Sequence, residues 1–245
     1  MSRKGLDGNA RIVVLTGAGI SKESGLDTFR DAGGVWERYR IEDVATPEGY
    51  VRNPAKVHRF YNEQRTQLGE VQPNAAHFAL ARLEQEVGDR LLVVTQNIDD
   101  LHERAGSTRL IHMHGELLKV RCEHCETVRA ETGSISADTV CDSCGRKGGV
   151  RPHIVWFGEI PLRMDEIFAA LDRCTLFVAI GTSGNVYPAA GFVERARMNE
   201  GTRTLELNLE PSVGASRFAE TVYGKATEVV PAWIDRLLGT AGGES

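Results

Sequence analysis

Four of the five cysteines fall into two Cys-x-x-Cys pairs, Cys122 with Cys125 and Cys141 with Cys144, separated by fifteen residues. That is the spacing of a four-thiolate zinc ribbon. Each pair makes a knuckle that aims two sulfurs at one ion, and four thiolates leave no coordination position open to a substrate. One structural zinc ion is therefore predicted. The same clustering argues against a secreted disulfide framework. His124, inside the first knuckle, reads as a solvated loop residue, and Cys174, beside an apolar run, as a small core residue.

Three further groups could do chemistry. Gly17-x-Gly19 follows the apolar run Arg11-Ile-Val-Val-Leu-Thr16, and glycine there lets main-chain amides approach a pyrophosphate. The usual dinucleotide fingerprint wants a third glycine three residues on, where this chain has Lys22; the next glycine is Gly25. Spacing alone therefore leaves a nucleotide loop and a structural turn both open. Asn97 and Asp99 offer an amide and a carboxylate for directed hydrogen bonds, or equally caps for a helix beginning near Asp99. His112 and His114 share one face of an extended segment, and either imidazole can accept a proton near neutral pH. Spacing does not choose between them.

The elements that must position these residues alternate. Arg11–Gly17, Leu91–Thr95 and Thr175–Gly181 are short apolar runs of buried-strand type, with Arg203–Asn208 and Ala226–Val230 as weaker strand candidates. Helical patterns over Ala75–Val87 and Pro188–Met198 lie between them. Such alternation predicts an α/β fold, a Rossmann-like and mainly parallel sheet whose ligands gather at the carboxyl ends of the strands. Two segments break the rhythm: 31–72, mostly helical, and 115–151, which carries the cysteines. The expected organisation is a large domain of residues 1–30, 73–114 and 152–245, with the helical insertion 31–72 and the zinc-ribbon insertion 115–151 forming a smaller module.

Gly17-Ala-Gly-Ile-Ser21, followed by Ser24-Gly-Leu-Asp-Thr-Phe-Arg30, resembles the NAD-binding loop of the sirtuin family. Gln96-Asn-Ile-Asp-Asp-Leu-His-Glu-Arg-Ala-Gly106, His114-Gly115, the cysteine pairs, Phe157-Gly-Glu159, Gly181-Thr-Ser183 and Asn208-Leu-Glu210 then follow in that family's order, over about Arg11 to Val230. The resemblance implies an NAD-dependent protein lysine deacylase whose partners are acyl-lysine proteins or peptides. NAD would be a consumed co-substrate, and the products nicotinamide, free lysine and O-acyl-ADP-ribose. It chooses His114 as the catalytic base, with Asn97 and Asp99 lining the nicotinamide pocket and Gln96 near the ribose. Gly17, Ala18, Gly19, Ser21, Phe29, Arg30, Trp36 and Ile98 would complete that side of the cofactor site; Gly181, Thr182, Ser183, Asn208, Leu209, Glu210 and Ala226 would hold the adenosine side. Val155, Trp156, Phe157, Gly158 and Glu159 resemble the strand that pairs with the substrate peptide, a mode that tolerates many sequences because it uses backbone groups. His102 and His153 read as structural residues, and His58 and His77 receive no role.

Acyl preference is where the chain departs from its family. Asp43-Val-Ala-Thr-Pro-Glu-Gly49 and Phe60-Tyr-Asn-Glu-Gln-Arg65 resemble class III sirtuins, bacterial deacylases and the mitochondrial desuccinylase among them. In that group an alanine, here Ala45, opens the acyl pocket, and a Tyr-x-x-Arg pair holds a succinyl or malonyl carboxylate. Tyr61 is present, but Gln64 stands at the arginine position and Arg65 falls one residue later. On a helix one residue is a rotation of about 100°, which turns Arg65 away from the face of Tyr61. Efficient deacetylation with weak desuccinylation is the expectation, against the alternative that Arg65 reaches the pocket.

A formal net charge of −5 argues against a surface built to hold nucleic acid, and no direct nucleic-acid binding is expected. No apolar run is long enough to span a bilayer, and the basic start Met1-Ser-Arg-Lys4 lacks the apolar stretch of a secretory signal, so a cytoplasmic protein is expected. A dehydrogenase would share the sheet and glycine loop but gives the cysteines no role. An ADP-ribosyltransferase using the same bond cleavage is the alternative activity.

Overall fold

The computed structural model describes residues 8–26 and 39–240. Its centre is a six-stranded parallel sheet in the order β3-β2-β1-β7-β8-β9. The strands are β1 (Ile12–Thr16), β2 (Leu91–Thr95), β3 (Leu110–His112), β7 (Leu176–Ile180), β8 (Arg203–Asn208) and β9 (Glu220–Tyr223). β1 and β7 are buried along their whole length, as strands covered on both faces must be.

Alternate side chains sort onto the two faces. Val14, Val93, Val178 and Leu205 pack with Leu80 and Leu83 of the helix Ala75–Val87 and with Val230 and Trp233 of the helix Ala226–Leu238. Val13, Leu15, Phe177 and Ala179 face Ile167 and Leu171 of Met164–Leu171 and Phe192 and Val193 of Phe192–Arg197. In chain order the helices are α1 (Ile41–Val44), α2 (Pro47–Arg52), α3 (Pro54–Glu70), α4 (Ala75–Val87), α5 (Leu101–Arg104), α6 (Met164–Leu171), α7 (Phe192–Arg197) and α8 (Ala226–Leu238).

A second sheet, β5-β4-β6, is antiparallel and built from β4 (Gly115–Cys122), β5 (Val128–Ala130) and β6 (Val150–Ile154). Helices α1 to α3 pack on it through Val44, Tyr50, Phe60, Tyr61, Leu117 and Trp156. A separate small cluster, Val120, Ile135 and Val150, surrounds the sulfurs of Cys122 and Cys141. Among the described residues no helix is long and apolar enough to cross a membrane.

One strand expectation fails. Ala226–Val230 is the first turn and a half of α8, and the last strand is Glu220–Tyr223 instead. The β-branched run Thr227, Val229, Val230 suggests a strand, but Val230, Trp233 and Ile234 recur at helical spacing and are the buried residues of that helix. β9 lies at the sheet edge and is largely exposed, so it lacks the apolar run that marks its neighbours. Pro188–Met198 likewise resolves into a 3-10 turn, Ala189–Gly191, followed by α7.

The helical assignment of α8 predicts sharply unequal costs along it. Trp233→Ala should lower stability by about 3–5 kcal/mol. Exposed Arg236→Ala should stay within about 0.5 kcal/mol. Denaturant titration of both variants checks this, and equal losses would contradict the packing of α8 on α4.

Candidate functional site

The strand order reverses between β1 and β7, and there the carboxyl ends of the strands open on a cleft of about 810 Å³. Its floor is a crossing of two loops. Gly17 N–H donates to Ile180 O at 3.0 Å and Gly19 N–H to Gly181 O at 2.9 Å. A Cβ on Gly17 would lie 2.8 Å from Gly181 O, and one on Gly19 2.7 Å from Gly181 Cα. These glycines are thus required by main-chain contact between loops. Their amides are engaged inside the protein, while both residues stand on the cleft wall.

Beyond the crossing the loop after β2 supplies a buried polar network. Ser21 Oγ donates to Asp99 Oδ2 at 3.0 Å and accepts from Asn97 Nδ2 at 3.1 Å. Asn74 N–H donates to His77 Nδ1, so the opposite nitrogen, 3.4 Å from Ser21 Oγ, carries the proton. Burial holds His77 down to about 4, which keeps that ring neutral. His102 lies against Thr16 Oγ1 at 3.0 Å, a structural contact. Asp99 Oδ1 also accepts from Leu101 N–H, so the capping and pocket readings of this residue describe one geometry. Burial raises the Asp99 carboxyl above its ordinary range, against the pull of Leu101 N–H and the Ser21 hydroxyl.

The two histidines of the Leu110–His114 segment differ in their partners. His114 lines the cleft, and its Nδ1 lies 3.1 Å from the Gln96 carbonyl oxygen. That acceptor requires a proton on Nδ1 and leaves the Nε2 lone pair for the cleft. Burial lowers the His114 pKa, opposed by the Gln96 carbonyl. His112 is absent from the cleft wall and lies between the Asn97 carbonyl and Glu103.

Towards β8 the wall holds Gly181, Thr182, Ser183, Asn208, Leu209, Glu210 and Ala226. Asn208 Nδ2 donates to Thr182 O at 2.8 Å and ties the two loops together. The opposite end is bounded by Ala45, Tyr61, Gln64 and Val155 to Glu159. The last five are not a strand: β6 ends at Ile154, and the chain turns so that Phe157 N–H donates to Ala45 O and Glu159 N–H to Trp156 O. Glu159 makes this turn rigid. Its carboxylate takes both guanidinium nitrogens of buried Arg151 at 2.9 Å, Arg121 at 2.9 Å and Trp156 N–H at 2.8 Å. Arg151 in turn lies over the Trp156 ring. Trp156 Nε1, which only donates, reaches Tyr61 Oη at 2.9 Å, so the Tyr61 hydroxyl proton is free to point elsewhere.

Gln64 lies on the cleft wall, and Arg65 does not. Arg65 is buried, its Nε donating to Leu117 O at 2.9 Å and its Nη1 to Asn62 Oδ1 at 2.9 Å.

Every candidate cofactor and substrate residue that falls within the described residues lines this one cleft, while Phe29, Arg30 and Trp36 lie outside them. Sequence reasoning missed Glu23, Leu68 and Tyr187 on the wall. Glu23 accepts from Thr227 N–H and Oγ1 at the start of α8, a link across 204 residues that no local pattern announces.

The cysteines converge at the far edge of the second sheet. A tetrahedron of sulfurs about 2.3 Å from zinc has edges of about 3.8 Å. The Sγ atoms of Cys122 and Cys144 are 3.8 Å apart, those of Cys125 and Cys141 3.7 Å, and all four lie within 4.8 Å of one another. Each knuckle closes with the same turn, Glu126 N–H to Cys122 O and Gly145 N–H to Cys141 O, both at 2.8 Å. The donor set fits a closed structural zinc site.

Comparison with known proteins adds identity to this geometry. The profile described as Sir2 family matches residues 17–188. A protein of Caulobacter vibrioides named NAD-dependent protein deacylase is 59% identical over 234 residues, covering 94% of this chain and 98% of that protein. One of the same name from Escherichia coli strain K12 is 58% identical over 230 residues, covering 93% and 82%. Among solved structures, a Sir2 homologue in complex with NAD aligns with a TM-score of 0.85 at 34% identity, over 95% of this chain and 91% of that one. A Sir2 variant with a deacetylated p53 peptide and 3′-O-acetyl ADP-ribose aligns at 0.80 and 29% identity, over 94% and 93%.

Metal analysis of freshly folded protein should find one zinc ion per chain, lost in Cys141→Ser together with part of the thermal stability. Zinc-free protein of unchanged melting temperature would contradict a structural role.

Proposed function

The chain belongs to the Sir2 family, and from that premise we propose that it is an NAD-dependent protein lysine deacylase acting chiefly as a deacetylase. The observation that carries the reading is His114, whose Nε2 is free on the wall of the cleft while its Nδ1 is fixed by the Gln96 carbonyl. NAD supplies the ADP-ribosyl group, its nicotinamide–ribose bond breaking as the acyl oxygen of the modified lysine attacks the anomeric carbon. His114 then takes a proton from a ribose hydroxyl, and that hydroxyl attacks the acyl carbon. Asn97 and Asp99, held by Ser21, orient the nicotinamide carboxamide. Asn208, Ser183 and Glu210 stand where the adenosine end would lie. The large domain, residues 1–30, 73–114 and 152–245, carries the cofactor; the insertions 31–72 and 115–151 supply the acyl end and the zinc.

Acetyl preference follows from the wall around Tyr61. Gln64 donates a hydrogen bond but brings no charge, and Arg65 is committed to Leu117 and Asn62. The Arg151 charge is balanced by Glu159. A buried succinyl carboxylate without its own cation is disfavoured by about 3–5 kcal/mol, less where water enters an open pocket. Burial raises the Tyr61 pKa, so the phenol remains a neutral donor.

His114→Ala should reduce deacetylation about a hundredfold to ten-thousandfold, and His112→Ala much less. Because the His114 pKa lies below 6.5, the base is neutral above that value and kcat/KM should fall as pH drops below it. A reversed order of the two variants would displace His114 from this role. Matched acetyl and succinyl peptides test the pocket. Gln64→Arg should raise the succinyl-to-acetyl ratio of kcat/KM by about ten- to a hundredfold, the size of a charge-assisted hydrogen bond, while Arg65→Ala leaves it nearly unchanged. A parent that prefers succinyl and loses that preference with Arg65→Ala would refute the assignment.

A further inference from the structure

His112 is the titratable group beside the cleft that the proposed chemistry leaves unused. It ends β3, its side chain is 7% exposed, and it is held at both nitrogens. Nδ1 lies 3.0 Å from the Asn97 carbonyl oxygen and Nε2 lies 2.7 Å from Glu103 Oε1 on α5. Both partners are acceptors. A neutral imidazole has one N–H and would turn a lone pair toward one of these oxygens; only the doubly protonated ring donates to both. His114, two residues on, has one acceptor and an open side. Neighbouring histidines on one segment thus meet different hydrogen-bond surroundings.

We propose that His112 is a positioning residue which, as an imidazolium clamped between Glu103 and the Asn97 carbonyl, fixes the loop Gln96–Asp100 in the shape that receives the nicotinamide end of the cofactor. The inference rests on the NAD-dependent reading above. Asn97 presents its carbonyl to His112 and its side-chain amide to Ser21, so the clamp sets the backbone from which the Asn97 and Asp99 side chains project.

The charged and titratable groups around the ring are consistent with this. Glu103 faces it from α5 and Glu116 from β4, the latter also paired with Lys119 at 2.7 Å. Asp99 approaches from the loop, and His102, driven neutral by burial, from α5. Burial of His112 opposes the charge, but the Glu103 hydrogen bond and carboxylate, the Asn97 carbonyl and Glu116 outweigh it and raise the pKa above 6.5. The ring is therefore charged below that raised value and loses one of its two donors as pH rises through it.

Imidazole nitrogen NMR across pH, paired with the KM for NAD, tests the clamp in the parent and in Glu103→Gln, which keeps an acceptor but removes the charge. Below its raised pKa both nitrogens of His112 should carry protons in the parent. The KM for NAD should rise about two- to tenfold as the ring titrates on the alkaline side, the size of one hydrogen bond, while kcat at saturating NAD changes little. Glu103→Gln should move the NMR midpoint and the KM midpoint to lower pH together. His112→Gln, whose amide carries no charge and does not titrate, should abolish the alkaline rise. A purely structural role would alter the melting temperature without this joint movement. A His112 that titrates below the ordinary histidine value, or a KM profile that ignores its titration, overturns the proposal. The NMR titration needs no turnover, so it stands apart from failure of the deacylase reading, which would show as a parent without NAD-dependent deacylation.

Discussion

The loop from Gln96 to Asp100 is the part of the molecule on which the site depends, because its successive carbonyls, Gln96 and Asn97, each hold a different histidine. β2 and β3 are parallel neighbours in register, so the loop leaving β2 at Thr95 meets the chain leaving β3 at His112. Met113 N–H donates to Thr95 O at 3.0 Å and keeps the two exits together. Two histidines spaced two residues apart then face consecutive carbonyls. One has a second acceptor and the other an open cleft. The pattern is general: titratable groups of one type acquire different tasks when their surroundings push their pKa values apart.

The remaining parts serve to bring other walls up to this loop. The crossing of Gly17–Gly19 over Gly181 joins the ends of β1 and β7, and no side chain larger than hydrogen fits at the contact. Glu23 ties the same loop to the start of α8, and Asn208 ties the end of β8 to Thr182. On the far side, Arg151, Glu159, Trp156 and Tyr61 form one continuous chain of charge-assisted bonds, ring contact and hydrogen bond. It carries the rigidity of the second sheet to the hydroxyl that bounds the cleft. The four cysteines gather beside the small cluster of Val120, Ile135 and Val150, where they could hold one metal ion.

Much of this was legible in the sequence, for identifiable reasons. β1, β2 and β7 are apolar runs because both faces are covered, and each leads into a loop that lines the cleft. The cysteine spacing encodes a local geometry and so carries its meaning in a few residues. α8 and β9 were misread because an edge strand needs no apolar run and because Thr227, Val229 and Val230 suit either element. Val155 to Glu159 was read as a strand through resemblance, but its shape comes from Glu159 turning back onto Trp156 N–H and Arg151. The glycines of the first loop stand on the cleft wall and also have a packing reason, the close approach of Gly181, that their spacing does not record. The bonds of Ser21 to Asn97 and Asp99, and of His112 to Glu103, join separate elements, which no periodicity records.

The central claim is that this cleft couples cleavage of NAD to removal of an acyl group from lysine. The most direct measurement is the stoichiometry of nicotinamide released to lysine freed, in purified protein given NAD with and without an acetyl-lysine peptide, while absorbance of reduced cofactor is followed. The account predicts one nicotinamide per deacetylated lysine, none without the acyl peptide, and no reduced cofactor. Nicotinamide released at an equal rate without acyl-lysine, with a stable ADP-ribose mark left on protein, would contradict it.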